Sequence, residues 1–179
     1  MAERETIRVD KSIEIQRMPS DLYAMWRIPE NLTLILDFLE EVESLDEKRS
    51  RWSILLDNSE YVSWDTEITE DVKGQLIRWH SGNNADALHD GLVTFSSTGR
   101  AISTLLHLRL NFFFPSLGDN TDTASMEDLS VRIEEDLQRF KMAAEANEFP
   151  VKHREGRRGL PWGFSGSTLP REKNFPIDE

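Results

Sequence analysis

The chain has 179 residues, no cysteine and a formal charge of −12. That length buries the core of one domain and is short for two, while the missing thiols exclude disulfides, thiolate metal sites and a cysteine nucleophile. The acidic balance argues against nucleic acid as a partner, because phosphate binding draws on clustered Lys and Arg, and disfavours a general membrane-surface role.

Charges fill the opening "MAERETIRVD", where a signal peptide needs an apolar run. No window approaches the ~20 apolar residues of a membrane span. No integral membrane segment is therefore expected, and a cytoplasmic location is the default. Residues 5–16 alternate, with Ile7, Val9, Ile13 and Ile15 on one parity and Arg8, Asp10, Ser12 and Glu14 on the other, which predicts a half-buried strand. "MPSDLYAMWR" follows with helix-start residues Pro19, Ser20 and Asp21 and a shared face of Leu22, Met25 and Trp26. Pro29 interrupts this short helix. "PENLTLILDFLEEV" starts a second, with Pro at its first position and Leu32, Ile35, Leu36 and Leu39 at helical spacing.

Six short alternating runs come next, at 41–47, 50–57, 61–71, 74–81, 90–97 and 101–114, divided by glycine, Asn-Asn and Ser-Ser turn chemistry. Consecutive strands without intervening helices predict an antiparallel meander. In the last run Leu106, Leu108, Leu110, Phe112 and Phe114 face the interior, opposite Leu105, His107, Arg109, Asn111 and Phe113. The period then changes to 3.6, with Met126, Leu129, Ile133, Leu137, Phe140 and Ala144 three or four apart, which predicts a long amphipathic C-terminal helix. From Asn147 onward four prolines, four glycines and no periodicity mark a mobile tail, giving a domain over 1–146 and a tail over 147–179.

The hairpin "VSWDTEITEDVKGQLIRWHS" holds two tryptophans among acids. If Asp71 pairs with Gly74, or Glu70 with Gln75, even positions before the turn face odd positions after it. Val62, Trp64, Thr66 and Ile68 then share a face with Gln75, Ile77, Trp79 and Ser81, and Asp65, Glu67, Arg78 and His80 face solvent. A bulge at Gly74 would shift the pairing by one residue and separate Trp64 from Trp79.

The order strand, two short helices, six-stranded meander and long helix resembles the helix-grip fold of the START-related superfamily, an α+β class. "SIEIQRMPSDLYAMWRIPENLTLILDFLEEVESLDEKRSRW", the Trp-Asp-x-Glu-Ile hairpin and "EEDLQRFKMAAE" are similar to the bacterial polyketide cyclase/dehydrase-like subgroup, over about residues 6–147. The chain departs from that subgroup in "GRAISTLLHLRL" and in the single Pro115 after Phe114. The resemblance implies a curved sheet wrapped around a long helix and enclosing a cavity for an apolar small molecule: lipid, isoprenoid, quinone or polyketide-like. It transfers no catalytic constellation. On this reading Trp64, Thr66, Ile77, Trp79, Phe95, Leu108 and Phe112 of the sheet, with Leu137 and Phe140 of the last helix, are the candidate ligand-binding residues. Trp52 and several of these aromatics also read as plain packing.

Other chemistry is thinly represented. His80, Asp86, His89 and Asp90 lie within eleven positions, but a loop between strands collects polar residues anyway, so neither a metal nor another cofactor is expected. Tyr23, Arg78, His89 and His107 are acid–base candidates with ordinary surface or loop readings, and neither a serine-nucleophile elbow nor a phosphate loop occurs. The leading expectation is carriage of a hydrophobic molecule without covalent chemistry. An aromatase/cyclase-type enzyme is the alternative. An assembly factor or co-chaperone is the third, docking a protein partner through the basic stretch 151–159 with Trp162 and Phe164.

Overall fold

A computed structural model describes residues 6–55, 61–82, 88–113 and 123–148. Strand β1 (Ile7–Ile15) leads into helix α1 (Pro19–Arg27), a 3-10 turn (Pro29–Asn31) and a one-turn helix α2 (Leu32–Ile35). Six strands follow in sequence, β2 (Glu41–Ser44), β3 (Arg49–Leu55), β4 (Tyr61–Val72), β5 (Leu76–Ser81), β6 (Leu88–Ser97) and β7 (Thr104–Phe113), and then helix α3 (Thr123–Glu145). All neighbours pair antiparallel, in the order β1-β7-β6-β5-β4-β3-β2, so the meander is continuous and β1 closes against its last strand. This is the α+β helix-grip arrangement.

Strand parity sorts the faces as the alternation requires. Val9, Ile13 and Ile15 of β1, Val93 and Phe95 of β6, and Leu106, Leu108, Leu110 and Phe112 of β7 are buried on one face. Ile133, Leu137, Phe140 and Ala144 of α3 are buried with them. The core lies between that face and the helices.

The second helix is much shorter than its spacing predicts. It stops at Ile35, and Leu36 is already extended at φ −109, ψ 97. The cause lies on α3. The buried Asp136 carboxylate accepts the Asp37 N–H at 2.9 Å, and Arg139 donates to the Ile35 carbonyl at 3.3 Å and to Asp136 at 3.0 Å. Backbone groups that a further helical turn would consume are therefore taken by a neighbouring helix. Leu36 and Leu39 are still buried, but they bracket a turn, closed by the Leu39 N–H on the Leu36 carbonyl at 3.1 Å, that feeds β2.

The β4–β5 hairpin contains two irregularities that cancel. Val72 pairs with Leu76 around Lys73, Gly74 and Gln75, with Gly74 at φ +73, a left-handed conformation that glycine adopts without strain. Relative to the expected Asp71–Gly74 pairing, this changes the parity and alone would put Trp64 and Trp79 on opposite faces. A shift between Ile68 and Glu70 restores it, so Ile68 faces Trp79 and Thr66 faces Ser81. Both tryptophans are buried on the same face, while Gln75 is exposed in the turn rather than on that face.

The same bulge turns Asp71 inward, paired with Ile77, at the end of β4 rather than in the turn. There it accepts the Tyr23 hydroxyl at 2.5 Å and Arg27 Nε at 2.7 Å, and Arg27 also donates to the Glu47 carbonyl at 2.8 Å. Burial, reinforced by the bond to Asp71, raises the Tyr23 pKa. This latch fixes α1 over the hairpin. Asp71→Ala is expected to lower stability by about 1 kcal/mol, the scale for a partly exposed charge-assisted network, seen as a lower urea midpoint with an unchanged slope.

Both outer strands of the sheet are occupied. Along β1, Lys141 of α3 donates to the Glu14 carbonyl at 2.6 Å, Glu145 accepts the Gln16 N–H at 2.8 Å, and Lys11 pairs with Glu134 at 2.6 Å. At the other side β2 is four residues long, exposes Glu41 and Glu43, and packs beside the 3-10 turn. Helix α3 ends at a left-handed Asn147 (φ 61), with the Glu148 N–H bonded to the Ala143 carbonyl at 2.8 Å. Leu56, Asp86, Phe114, the stretch 151–159, Trp162 and Phe164, and with them the predicted tail beyond residue 148, lie outside the described residues.

Candidate ligand-binding site

Pairing places a row of polar side chains across the buried face. Ser50 of β3 faces Thr66 of β4, Thr66 faces Ser81 of β5, and the Ser81 hydroxyl accepts the backbone N–H of His89 on β6 at 2.7 Å. His89 in turn faces Phe112 of β7. All four polar residues are buried: Ser50 is 8% exposed, Thr66 2%, Ser81 6% and His89 1%. A polar ribbon thus crosses four strands of a sheet whose face is otherwise apolar.

Tryptophans frame it. Trp52 faces Trp64 across β3 and β4, and its ring lies 6.3 Å from Trp64 and 5.8 Å from Trp79 between centroids. The His89 imidazole sits among the three, at 5.2 Å from Trp52, 5.8 Å from Trp64 and 6.0 Å from Trp79, and stacks on Phe112 at 4.3 Å with planes 5° apart. Phe38, in the turn after α2, meets Phe112 edge-on at 5.8 Å. Trp79 has its place because Gly91, its partner on β6, has no side chain: a Cβ there would fall 2.1 Å from the indole ring.

Hydrogen bonding in the ribbon is incomplete. Trp52 Nε1–H donates to Ser50 at 2.8 Å, and Ser81 is engaged by His89. Trp64 Nε1, Trp79 Nε1, Thr66 Oγ1 and both ring nitrogens of His89 are buried with no partner among the described residues. Burial alone pulls the His89 pKa down to about 3, so the ring is uncharged at neutral pH. Orphaned buried polar atoms are rare in folded proteins and costly, at roughly 1–3 kcal/mol each; five within one aromatic enclosure are a concentration that packing does not explain.

The sequence-predicted residues fall into two groups and a row between them. Trp64, Trp79 and Phe112 surround His89, and Thr66 lies on the far side of Ser81 from it. Phe95 and Phe140 instead meet Trp26 of α1 edge-on, at 6.5 Å and 6.1 Å, with Tyr23 6.1 Å from Phe95, and this second cluster seats α1. Ile77, Val93 and Leu108 form a cross-strand row on the buried face, and Leu137 is buried on α3.

His89 corrects its sequence reading as a loop residue, because β6 begins at Leu88 and carries it inward. Its metal-cluster companions do not follow it: His80 faces outward beside Glu67, and Asp90 is exposed. No group of three metal-ligating residues forms among the described residues. The other acid–base candidates are committed elsewhere, Tyr23 to Asp71, Arg78 to Glu70 at 3.1 Å and His107 to Asp10 at 2.6 Å.

Among solved structures, the chain is similar to a protein from Deinococcus radiodurans, with 31% identity and a TM-score of 0.66 over 78% of this chain and 98% of that one. A START superfamily protein from Mycobacterium smegmatis shares 13% identity at a TM-score of 0.57, over 78% of this chain and 95% of its own. The di-domain ARO/CYC StfQ from the steffimycin biosynthetic pathway shares 13% at 0.58, over 79% of this chain and 51% of that one. The latter two likenesses are of fold. No protein-family model matches the chain, and no curated protein matches it significantly.

Proposed function

We propose that the chain, whose helix-grip fold is that of START-related proteins, binds or carries a hydrophobic small molecule against the buried face of its sheet. One observation supports this above the others: on the tryptophan-lined buried face, the Trp64 and Trp79 indole N–H groups, the Thr66 hydroxyl and both His89 ring nitrogens have no partner among the described residues. An apolar enclosure with a few convergent polar groups is what a small-molecule site requires, since the apolar surface supplies affinity and the polar atoms supply orientation. A wholly structural core would have hydrocarbon at His89 and Thr66.

The cyclase-type alternative has less support. Of the four acid–base candidates Tyr23 is tied to Asp71, and His89, the one that lies on a buried strand face, has no carboxylate or basic partner among the described residues to set its protonation. The carrier reading involves no bond making. No helix among the described residues is long and apolar enough to cross a membrane.

Nile red, an uncharged dye, tests the reading when titrated into the full chain. Saturable uptake at one site, lost in Trp64→Ala/Trp79→Ala while the circular dichroism spectrum is kept, is the expected result. Absence of uptake, together with no retained small molecule in native mass spectra of protein from its own source, would reject it.

A further inference from the structure

We propose that the polar ribbon selects an uncharged molecule presenting carbonyl-type acceptor oxygens, and rejects the carboxylate or phosphate counterpart of the same apolar body. This rests on the carrier reading and narrows it.

The donor and acceptor inventory comes first. The Trp64 and Trp79 indoles have one N–H each and no acceptor, the Thr66 hydroxyl donates one hydrogen, and neutral His89 offers one donor and one acceptor nitrogen. Four donors therefore stand against the acceptor sites of Thr66 and His89. Both indoles only donate, so a molecule that satisfies them must bring oxygen lone pairs, and any hydrogen it donates can go only to Thr66 or His89. Hydrocarbon alone leaves every one of these atoms unpaired.

The second argument is charge. An anion taken into this enclosure would lose its hydration and needs a compensating cation, without which burial costs several kcal/mol. Among the described residues, the ring and hydrogen-bond neighbours of His89 are Trp52, Trp64, Trp79, Phe112 and Ser81, all uncharged. Burial keeps the imidazole itself neutral. The buried guanidinium of the described core, Arg139, is engaged by Asp136 and the Ile35 carbonyl.

The test is isothermal titration of the full chain at pH 7.5 with four ligands of one ring system: 2-acetylnaphthalene, 2-naphthoate, naphthalene and 2-naphthylmethylammonium. The ketone is expected to bind about tenfold tighter than the hydrocarbon and tighter still than the carboxylate, the scale of one to two buried hydrogen bonds. Trp79→Phe is expected to weaken the ketone more than the hydrocarbon and so to narrow the gap between them. Naphthoate or the ammonium compound binding as tightly as the ketone would overturn the selection, as would ketone and hydrocarbon binding equally; Nile red uptake persisting in those cases would show that the carrier reading survives. Failure of all four ligands in a chain that still takes up Nile red would overturn the assignment to the ribbon, and loss of Nile red uptake as well would remove the carrier reading itself.

Discussion

Gly91→Ala is expected to destabilise the fold by about 1–3 kcal/mol and to abolish ligand uptake, although it adds a single methyl group to a strand. The new Cβ would lie 2.1 Å from Trp79 Cε2 and Cζ2 and 2.6 Å from its Nε1, far inside contact distance. The indole has no simple retreat, because it is 5% exposed and bounded by Trp52 at 5.8 Å and His89 at 6.0 Å. Either the backbone of β5 and β6 separates or the ring is driven into the enclosure, and each outcome removes the surface a guest would use. Chemical unfolding checks the energy, and the compensating pair checks the cause. Gly91→Ala combined with Trp79→Leu should recover part of the lost stability, giving a coupling energy of about 1 kcal/mol or more between the two sites. A Gly91→Ala chain unfolding within about 0.5 kcal/mol of the parent, inside the range of a neutral surface change, would show that Trp79 does not depend on the missing side chain.

The second large effect is a pair of opposed pH dependences. His89 has its pKa lowered from 6.5 to about 3 by burial. Its contribution to stability is complete above pH 6.5 and is lost as pH falls toward 3, because the unfolded chain binds the proton first. Asp136 behaves in the opposite sense. Burial raises its pKa from 3.8 to about 7 against the pull of Arg139 and the Asp37 N–H, so its contribution is complete below pH 3.8 and is lost as pH rises through 7. Between about pH 4 and 6.5 the two slopes, each up to about 1.4 kcal/mol per pH unit, largely offset.

Single variants unmask them. His89→Leu should be more stable at pH 5 than at pH 7, by about 2 kcal/mol, and Asp136→Asn, which keeps one of the two oxygens that accept from Arg139 and the Asp37 N–H, should be less stable at pH 5 than at pH 7 by a similar amount. At pH 7 His89→Leu should also gain about 1–3 kcal/mol over the parent by removing two orphaned nitrogens. Urea midpoints at the two pH values measure all three. Parallel profiles for the parent and both variants would mean that neither group titrates abnormally.

Much of the architecture was legible because each element advertises a period. Alternation over Ile7 to Ile15 and Leu106 to Phe112, and the 3.6 spacing of Ile133, Leu137 and Phe140, are direct imprints of one-sided burial. The second helix was overextended for a physical reason: Leu32, Ile35, Leu36 and Leu39 keep helical spacing, but Asp136 and Arg139, a hundred residues later, capture its end. Local spacing carries no trace of that. Trp64, Thr66, Trp79 and Phe112 were readable as buried-face residues from parity.

His89 was hidden by the Asn-Asn-Ala-Asp run before it. One signal was available, since extending the parity of Gly91, Val93 and Phe95 back by two residues sets it on the same face. The ribbon as a whole was not readable. It requires the pairing of Ser50, Thr66, Ser81 and His89 across three strand pairs, and one of these, β4–β5, contains two compensating one-residue irregularities.

The lateral limits of the sheet bear on how copies of the chain meet. Lys141 and Glu145 occupy outward backbone groups next to Glu14 and Gln16, and the opposite side is a four-residue strand with Glu41 and Glu43 exposed. Among the described residues, then, the end of β1 is taken by α3 and the opposite flank is short and charged. Strand-to-strand pairing of a second copy is therefore disfavoured along β2 and at the last residues of β1.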